Sequence, residues 1–418
     1  MGLKAAGAVA VTNILFTHMN KQLLALGSIA LCSHHVMAQE VAEKDTIDQS
    51  DIELVYNHYM QNGNHSAVTG GTGTEALTVY GPAVNIKRSR KNNVLTFNVG
   101  TDIISSASTD NIDFVKSSAS YTDIHGYTYG VLEHRFRNGF NLYGGMGFSI
   151  ESDYFSYSGR LGFSKEDVKK QRSFFAEVQA FNDDLRWGRI NENYYKAVKL
   201  IYPEELRYRE WYDTYKRYSY NVKAGYTQIV DKRNVLGIYP ELILQTGLLA
   251  TPFHRVYFTN GQLMVEQLPD QRLKASLGLK WNRFAGGRTV LKQSINAYTD
   301  NFGIHALALE QETAIKLNRV LTILPNVRFY TQSASDYFKP YRMHDISDQY
   351  YTSDYDYSRF YSYSVGMGFR YNPFKTLNKQ FLFKGMSLRY NYYKRSDGLW
   401  SHILSASFQS VFTRYTKK

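Results

Sequence analysis

The sequence predicts an all-β protein, a transmembrane antiparallel up-and-down β-barrel of about 16 strands, with 14 or 18 compatible with the same spacing. Three observations predict it. Apolar residues recur at every second position, the alternating runs extend over 10 to 14 residues, and the connections between them tend to alternate short with long. One-sided alternation alone also fits a soluble sandwich. Soluble strands, however, run nearer 5 or 6 residues, and short turns at one end with long loops at the other mark barrels that cross a bilayer. Composition agrees: with 35 Tyr, 24 Phe, 4 Trp and only 8 Pro among 418 residues the chain is not disordered. After residue 40 no apolar run approaches the roughly 18 residues that a membrane-spanning helix needs.

Read from the N-terminus, Met19 to Gln39 (MNKQLLALGSIALCSHHVMAQ) carries a basic Lys21, a short apolar core from Leu23 to Leu31 and a cleavage site at Val36-Met37-Ala38. Residues 1–38 therefore read as a leader with a signal peptide, with Met19 the expected start and Met1 the alternative. Cys32, the one cysteine, lies within it. Leu31 stands where a lipoprotein signal requires a small residue, so Cys32 is not a lipid attachment point. The mature chain would hold no thiol nucleophile, thiolate metal site or disulfide. Residues 39–50 (QEVAEKDTIDQS) read as a flexible periplasmic lead-in, and 51–418 as a single barrel domain. The formal charge of +12 is spread over single lysines and arginines mixed with acids, which excludes a nucleic-acid surface.

Sixteen segments follow: 51–61, 76–88, 93–104, 119–135, 139–150, 154–164, 172–184, 215–230, 234–248, 272–284, 288–299, 303–316, 319–333, 358–372, 383–396 and 400–412. The cleanest sets Tyr361, Tyr363, Val365, Met367, Phe369 and Tyr371 against Ser362, Ser364, Gly366, Gly368 and Arg370. Tyr218 and Tyr220, or Tyr390 and Tyr392, sit at segment ends, where an interfacial aromatic girdle belongs. Lipid offers no hydrogen-bond partner, so the strands must close into a ring, and about sixteen leave a lumen too wide to fill with side chains.

On the polar face, Lys223, Lys274, Lys280, Arg370 and Arg389 form either a basic stripe that favours anionic solutes or structural pairs with lumen acids such as Asp102 and Glu151. The loop 185–214 is rich in aromatics, with Trp187, Tyr208 and Trp211 as candidates for binding a partner or constricting the pore. GGTGTE, Gly70 to Glu75, lacks the Lys-Ser/Thr of a phosphate loop and reads as a flexible surface loop; His65 beside it reads as a loop histidine and a weak binding candidate. Acids gather between Asp336 and Asp356. The pair Asp354 and Asp356 offers hard oxygen ligands for Ca²⁺ but lacks an EF-hand register, so solvated loop acids are expected and no cofactor is. Asp110 and Asp113 carry the same ambiguity. No catalytic motif such as G-x-S-x-G or HExxH is present.

Five segments are similar to a known family: YMQNGNHSAVTGGTGTEAL (59–77), ISSASTDNID (104–113), GLLATPFHRVYF (247–258), DYFKPY (336–341) and YTSDYDYS (351–358). They resemble the domain of unknown function 3570 family of exported Gram-negative proteins. The resemblance implies an outer-membrane-type barrel and transfers no reaction, substrate or catalytic residue. The leading expectation is an outer-membrane channel or transport component that acts on a small solute, with lipid as its surroundings. The alternatives are a barrel anchor for an export or surface-assembly partner, and a barrel-embedded enzyme with Ser and His placed on separate strands.

Overall fold

The computed structural model describes residues 45–107, 122–151, 154–185, 216–251 and 254–417. The strands are β1 (Asp45–Asn62), β2 (Ala76–Arg90), β3 (Asn93–Ala107), β4 (Thr122–Arg135), β5 (Phe140–Glu151), β6 (Tyr154–Asp167), β7 (Arg172–Asp184), β8 (Lys216–Ile229) and β9 (Asn234–Gly247). A short hairpin of β10 (Arg255–Tyr257) and β11 (Leu263–Val265) precedes β12 (Gln271–Gly286), β13 (Thr289–Asp300), β14 (His305–Lys316), β15 (Leu321–Gln332) and β16 (Phe360–Tyr371). The two-residue β17 (Lys375–Thr376), β18 (Phe381–Arg395) and β19 (Trp400–Lys417) complete the chain.

Sixteen long strands, each antiparallel to both neighbours, form a transmembrane barrel. β1 pairs with β2 on one side and with β19 on the other, so the ring has no edge. Every strand read from the alternation is present. One boundary moves: β1 starts at Asp45 rather than after residue 50, because Asp45 to Ser50 pair with Phe412 to Lys417. The polar composition that suggested a free lead-in is accommodated within the ladder, where Asp48 receives Arg88 from β2, Nε to Oδ1 at 3.0 Å.

The start of β1, the end of β19 and the short turns lie at one end. The strand ends that flank 63–75, 108–121, 152–153, 185–215, 248–270, 301–304, 333–359 and 396–399 lie at the other. Outward-facing side chains form an apolar band, with Leu132, Met146, Leu161, Leu242 and Val365 each more than half exposed. Tyr157, Tyr220, Tyr361 and Tyr390 ring its loop end; Phe163, Phe174, Tyr226, Trp281 and Tyr371 ring its turn end. An apolar belt between two aromatic girdles is the surface a bilayer selects.

The inner wall is polar and has a recurrent packing device. Gly100 faces the ring of Tyr127, Gly162 that of Tyr143, Gly225 that of Phe175 and Gly237 that of Tyr239, each too close for a Cβ. Small residues let wide rings lie flat along the wall instead of projecting into the lumen. Gly225→Val is expected to dislodge Phe175 at a cost of about 1–3 kcal/mol. The measurement is the temperature at which unheated, fast-migrating barrel converts to the unfolded band on a denaturing gel. That temperature should fall, and an unchanged value would remove the ring-over-glycine contact from the account.

Candidate functional site

Two assemblies concentrate the chemistry: the charged inner wall and the folded loops above it. All five predicted basic residues point inward. Lys223 Nζ lies 2.7 Å from Glu177 Oε1, its register partner on β7. Arg389, on β18, reaches past β16 and β15 to Glu312 on β14, which also takes Lys292 at 2.8 Å. Glu310 beside it binds Arg328 at 2.9 Å. Lys280 lies over the ring of Tyr239. Among the described residues neither Lys274 nor Arg370 forms an ion pair; Lys274 is crowded by Arg272 and Arg217, and Arg370 neighbours both Glu312 and Arg389.

The expected partners of these cations, Asp102 and Glu151, are buried on the same inner wall. They stand on β3 and β5, several strands from β8 and β12, whereas Glu177 and Glu312 lie within side-chain reach. Asp102 instead starts a chain across three adjacent strands. Its Oδ2 lies 3.3 Å from His125 Nδ1, and His125 Nε2 lies 2.6 Å from Ser149 Oγ. Asp102 and His125 are buried and Ser149 is half-buried. Sequence spacing gave no sign of this order, because the three residues lie 23 and 24 positions apart.

The described residues of the loops 63–75, 248–270, 333–359 and 396–399 fold into a cap. The helical turn Ala67–Thr69 packs against β10. Gly70, at φ 77°, sits under the Tyr257 ring, and Gly71, at φ 84°, sits against the carbonyl of Ser353. His65 stacks on Tyr355 with ring centroids 3.7 Å apart, and its Nδ1 lies 3.0 Å from the Gly71 carbonyl. GGTGTE is therefore a packed turn rather than a flexible surface loop, and its glycines supply both the left-handed backbone and the close approach. Position in the ring gives this contact its meaning. β1 and β2 lie eight places from β9 and β12 in a ring of sixteen, so the loops that touch here rise from opposite walls and meet across the mouth.

Phe258 and Val256, both fully buried, form the cap's apolar centre with Tyr351; Phe258 meets Tyr351 edge-on at 4.9 Å. Around it lie polar groups, of which His344 and Arg395 are buried. His344 contacts Asp348 through Nδ1 at 3.0 Å and donates through Nε2 to the Thr352 carbonyl, while Lys339 pairs with Asp348 at 2.6 Å. These contacts outweigh burial and hold the Asp348 carboxyl below its ordinary range. Arg395, 6% exposed, joins β18 to the cap through Asp356, Asp397 and the Tyr355 carbonyl.

Deeper still, His254 Nδ1 lies 3.3 Å from Glu266 Oε1 and 3.7 Å from Asp354 Oδ2. Glu266 also accepts from the Thr251 amide at 2.6 Å and from the Thr352 hydroxyl. Burial, reinforced by the charge of Asp356, pushes the Asp354 carboxyl well above its usual range. Burial alone would lower His254, but Glu266 and then Asp354 outweigh it and raise the imidazole. Asp354 and Asp356 thus do not converge on one cation: Asp356 turns to Arg395, and Asp354 turns inward while its Oδ1 caps the turn Tyr355–Tyr357 through the Asp356 amide. Nor is Asp354 the solvated acid that composition suggested. Trp187, Tyr208, Trp211, Asp110 and Asp113 lie outside the described residues.

Four of the five segments that carry the family resemblance, 59–77, 247–258, 336–341 and 351–358, meet in this cap. Glu266 belongs to none of them and had no motif to mark it. Arg395→Ala would leave Asp397 without its buried guanidinium, at a local cost of about 3 kcal/mol. Amide hydrogen exchange over 336–358 should accelerate by about two orders of magnitude while β1 to β9 remain protected. Equal protection in both proteins would mean that Arg395 does not hold the cap.

A family model described as a protein of unknown function, DUF3570, matches residues 118–412. No curated protein matches the chain. Similar solved structures include a bacterial polysaccharide outer membrane secretin, 10% identical with a TM-score of 0.44 over 87% of this chain and 97% of that one. A BenF-like porin from Pseudomonas fluorescens Pf-5 is 9% identical, with a TM-score of 0.40 over 86% and 98%. The outer membrane protein OpdK from Pseudomonas aeruginosa is 7% identical, with a TM-score of 0.39 over 88% and 99%.

Proposed function

The chain belongs to the DUF3570 family of proteins of unknown function, and we propose that it is an outer-membrane channel or transport component for small polar solutes. Its termini would face the periplasm and its cap the outside. The observation that carries this reading is a cap that crosses the mouth of a wide, charged barrel. Sixteen strands about 4.8 Å apart and tilted about 40° enclose a backbone cylinder roughly 30 Å across. Lys223 and Arg389 are paired with Glu177 and Glu312, whereas Arg370 keeps a positive charge on the wall without an ion pair among the described residues. Passage would depend on lumen width and this residual charge, with anions favoured and the cap limiting access.

Conductance of the purified protein in planar bilayers tests this. The native barrel should pass anions in preference to cations, and a double variant, Lys274→Glu with Arg370→Glu, should lose or invert that preference. Arg395→Ala should raise the open fraction severalfold by loosening the cap. A barrel that inserts but conducts in neither native nor Arg395→Ala form would sink the channel reading.

A second reading, a barrel-embedded hydrolase, is favoured by the acid-histidine-serine order of Asp102, His125 and Ser149. His125 Nε2 would take the Ser149 proton as Oγ attacks an ester carbonyl, and return it to the leaving alcohol; water would then release the acyl group. Asp102 would hold the imidazole tautomer. The strand amides around Ser149 are committed to pairing with Tyr127 and Ser156, so an oxyanion would depend on side-chain donors. For that reason it stands second. A fluorophosphonate probe should label Ser149 in the native protein, and labelling should drop at least about 10²-fold in His125→Gln. Absence of label on native Ser149 would dismiss the enzyme.

A further inference from the structure

We propose that His254, Glu266 and Asp354 form a divalent-cation site of the zinc type that clamps the 248–270 loop to the 333–359 loop within the cap. The proposal rests on the geometry of the cap and is independent of whether the barrel conducts.

One ligand atom from each residue lies within 4.8 Å of the other two. A tetrahedral ion with bonds of about 2.0–2.1 Å sets its ligands roughly 3.3–3.4 Å apart. His254 Nδ1 and Glu266 Oε1 already stand at 3.3 Å, and His254 Nδ1 and Asp354 Oδ2 at 3.7 Å. Glu266 and Asp354 lie within 4.8 Å of each other, and turning the Asp354 carboxylate toward Glu266 would close the set around an ion. One imidazole and two carboxylates suit zinc or manganese; calcium and magnesium prefer all-oxygen shells.

The surroundings fit a ligand role. Glu266 is oriented by the Thr251 amide and the Thr352 hydroxyl, and Asp354 by the Asp356 amide on Oδ1. Such outer contacts fix the direction of metal ligands. Asp354 Oδ2, by contrast, makes no hydrogen bond among the described residues and is aimed at His254. Two carboxylates and one imidazole enclosed together carry surplus negative charge whenever both acids are ionised, and a dication reverses that balance. Asp354, 13% exposed, leaves an entrance and a place for a water as fourth ligand, whereas His254 and Glu266 are sealed.

The competing arrangement is a purely hydrogen-bonded His254–Glu266–Thr352 network with a proton in place of the metal. Calorimetric titration of the full-length, chelator-stripped protein with zinc, alongside metal analysis of the same sample, separates the two. One zinc per chain is expected. Asp354→Asn keeps the Oδ1 cap of the turn and removes a carboxylate ligand, so it should weaken zinc binding more than about tenfold, the loss that even outer contacts of a metal can cause. Asp348→Asn, elsewhere in the cap, should leave binding unchanged and guards against a general loss of cap structure. No uptake by the native protein, or equal uptake in native and Asp354→Asn, would overturn the site. Uptake lost equally in Asp354→Asn and Asp348→Asn would overturn it as well.

Discussion

Closure of the ring by β1 and β19 is the constraint on which everything else depends. In hydrocarbon each unpaired amide costs several kcal/mol, so no arrangement with a free strand edge survives there. The ladder that closes the ring continues through the polar Asp45 to Ser50, opposite Phe412 to Lys417. The same setting explains why the outer face tolerates so much exposed leucine, valine and tyrosine: the surrounding lipid performs the burial that a core performs in a soluble protein.

Closure turns all polar chemistry inward or toward the ends. On the inner wall, charges must be balanced within side-chain reach, and adjacent strands offer the nearest partners. Lys223 finds Glu177 one strand away, while Arg389 spans two intervening strands to Glu312. Rings that would otherwise obstruct the lumen lie over Gly100, Gly162 and Gly225. The glycines written between apolar positions are thus seats for aromatics as much as small fillers of a polar face.

The barrel was largely legible and the cap was not, for one physical reason. A strand half in lipid writes its environment every second residue, so Tyr361 to Tyr371 announce their two faces locally. The cap has no period. Its contacts join residues far apart in sequence: Gly70 with Tyr257, His65 with Tyr355, Thr352 with Glu266. The GGTG run looked like slack chain because its glycines answer to partners nearly 190 positions away, such as Tyr257. Likewise, composition alone could not separate the half-buried Asp354 from the exposed Asp345, nor assign Lys223 to Glu177 rather than Asp102.

Ring position converts these contacts into a constraint on access. Loops that rise from neighbouring strands can pack together without covering anything. Loops from β1–β2 and β9–β12 meet only by crossing the lumen axis. A bridge of that kind is held at several points of different chemistry: an apolar centre at Phe258, the Arg395 pairs at the rim, and the acids and buried histidine beneath. Failure of any one point releases a loop without opening the barrel, because the strands below are independently paired. Cap and barrel are therefore expected to open separately, the cap contacts giving way while the strand pairing of the wall persists.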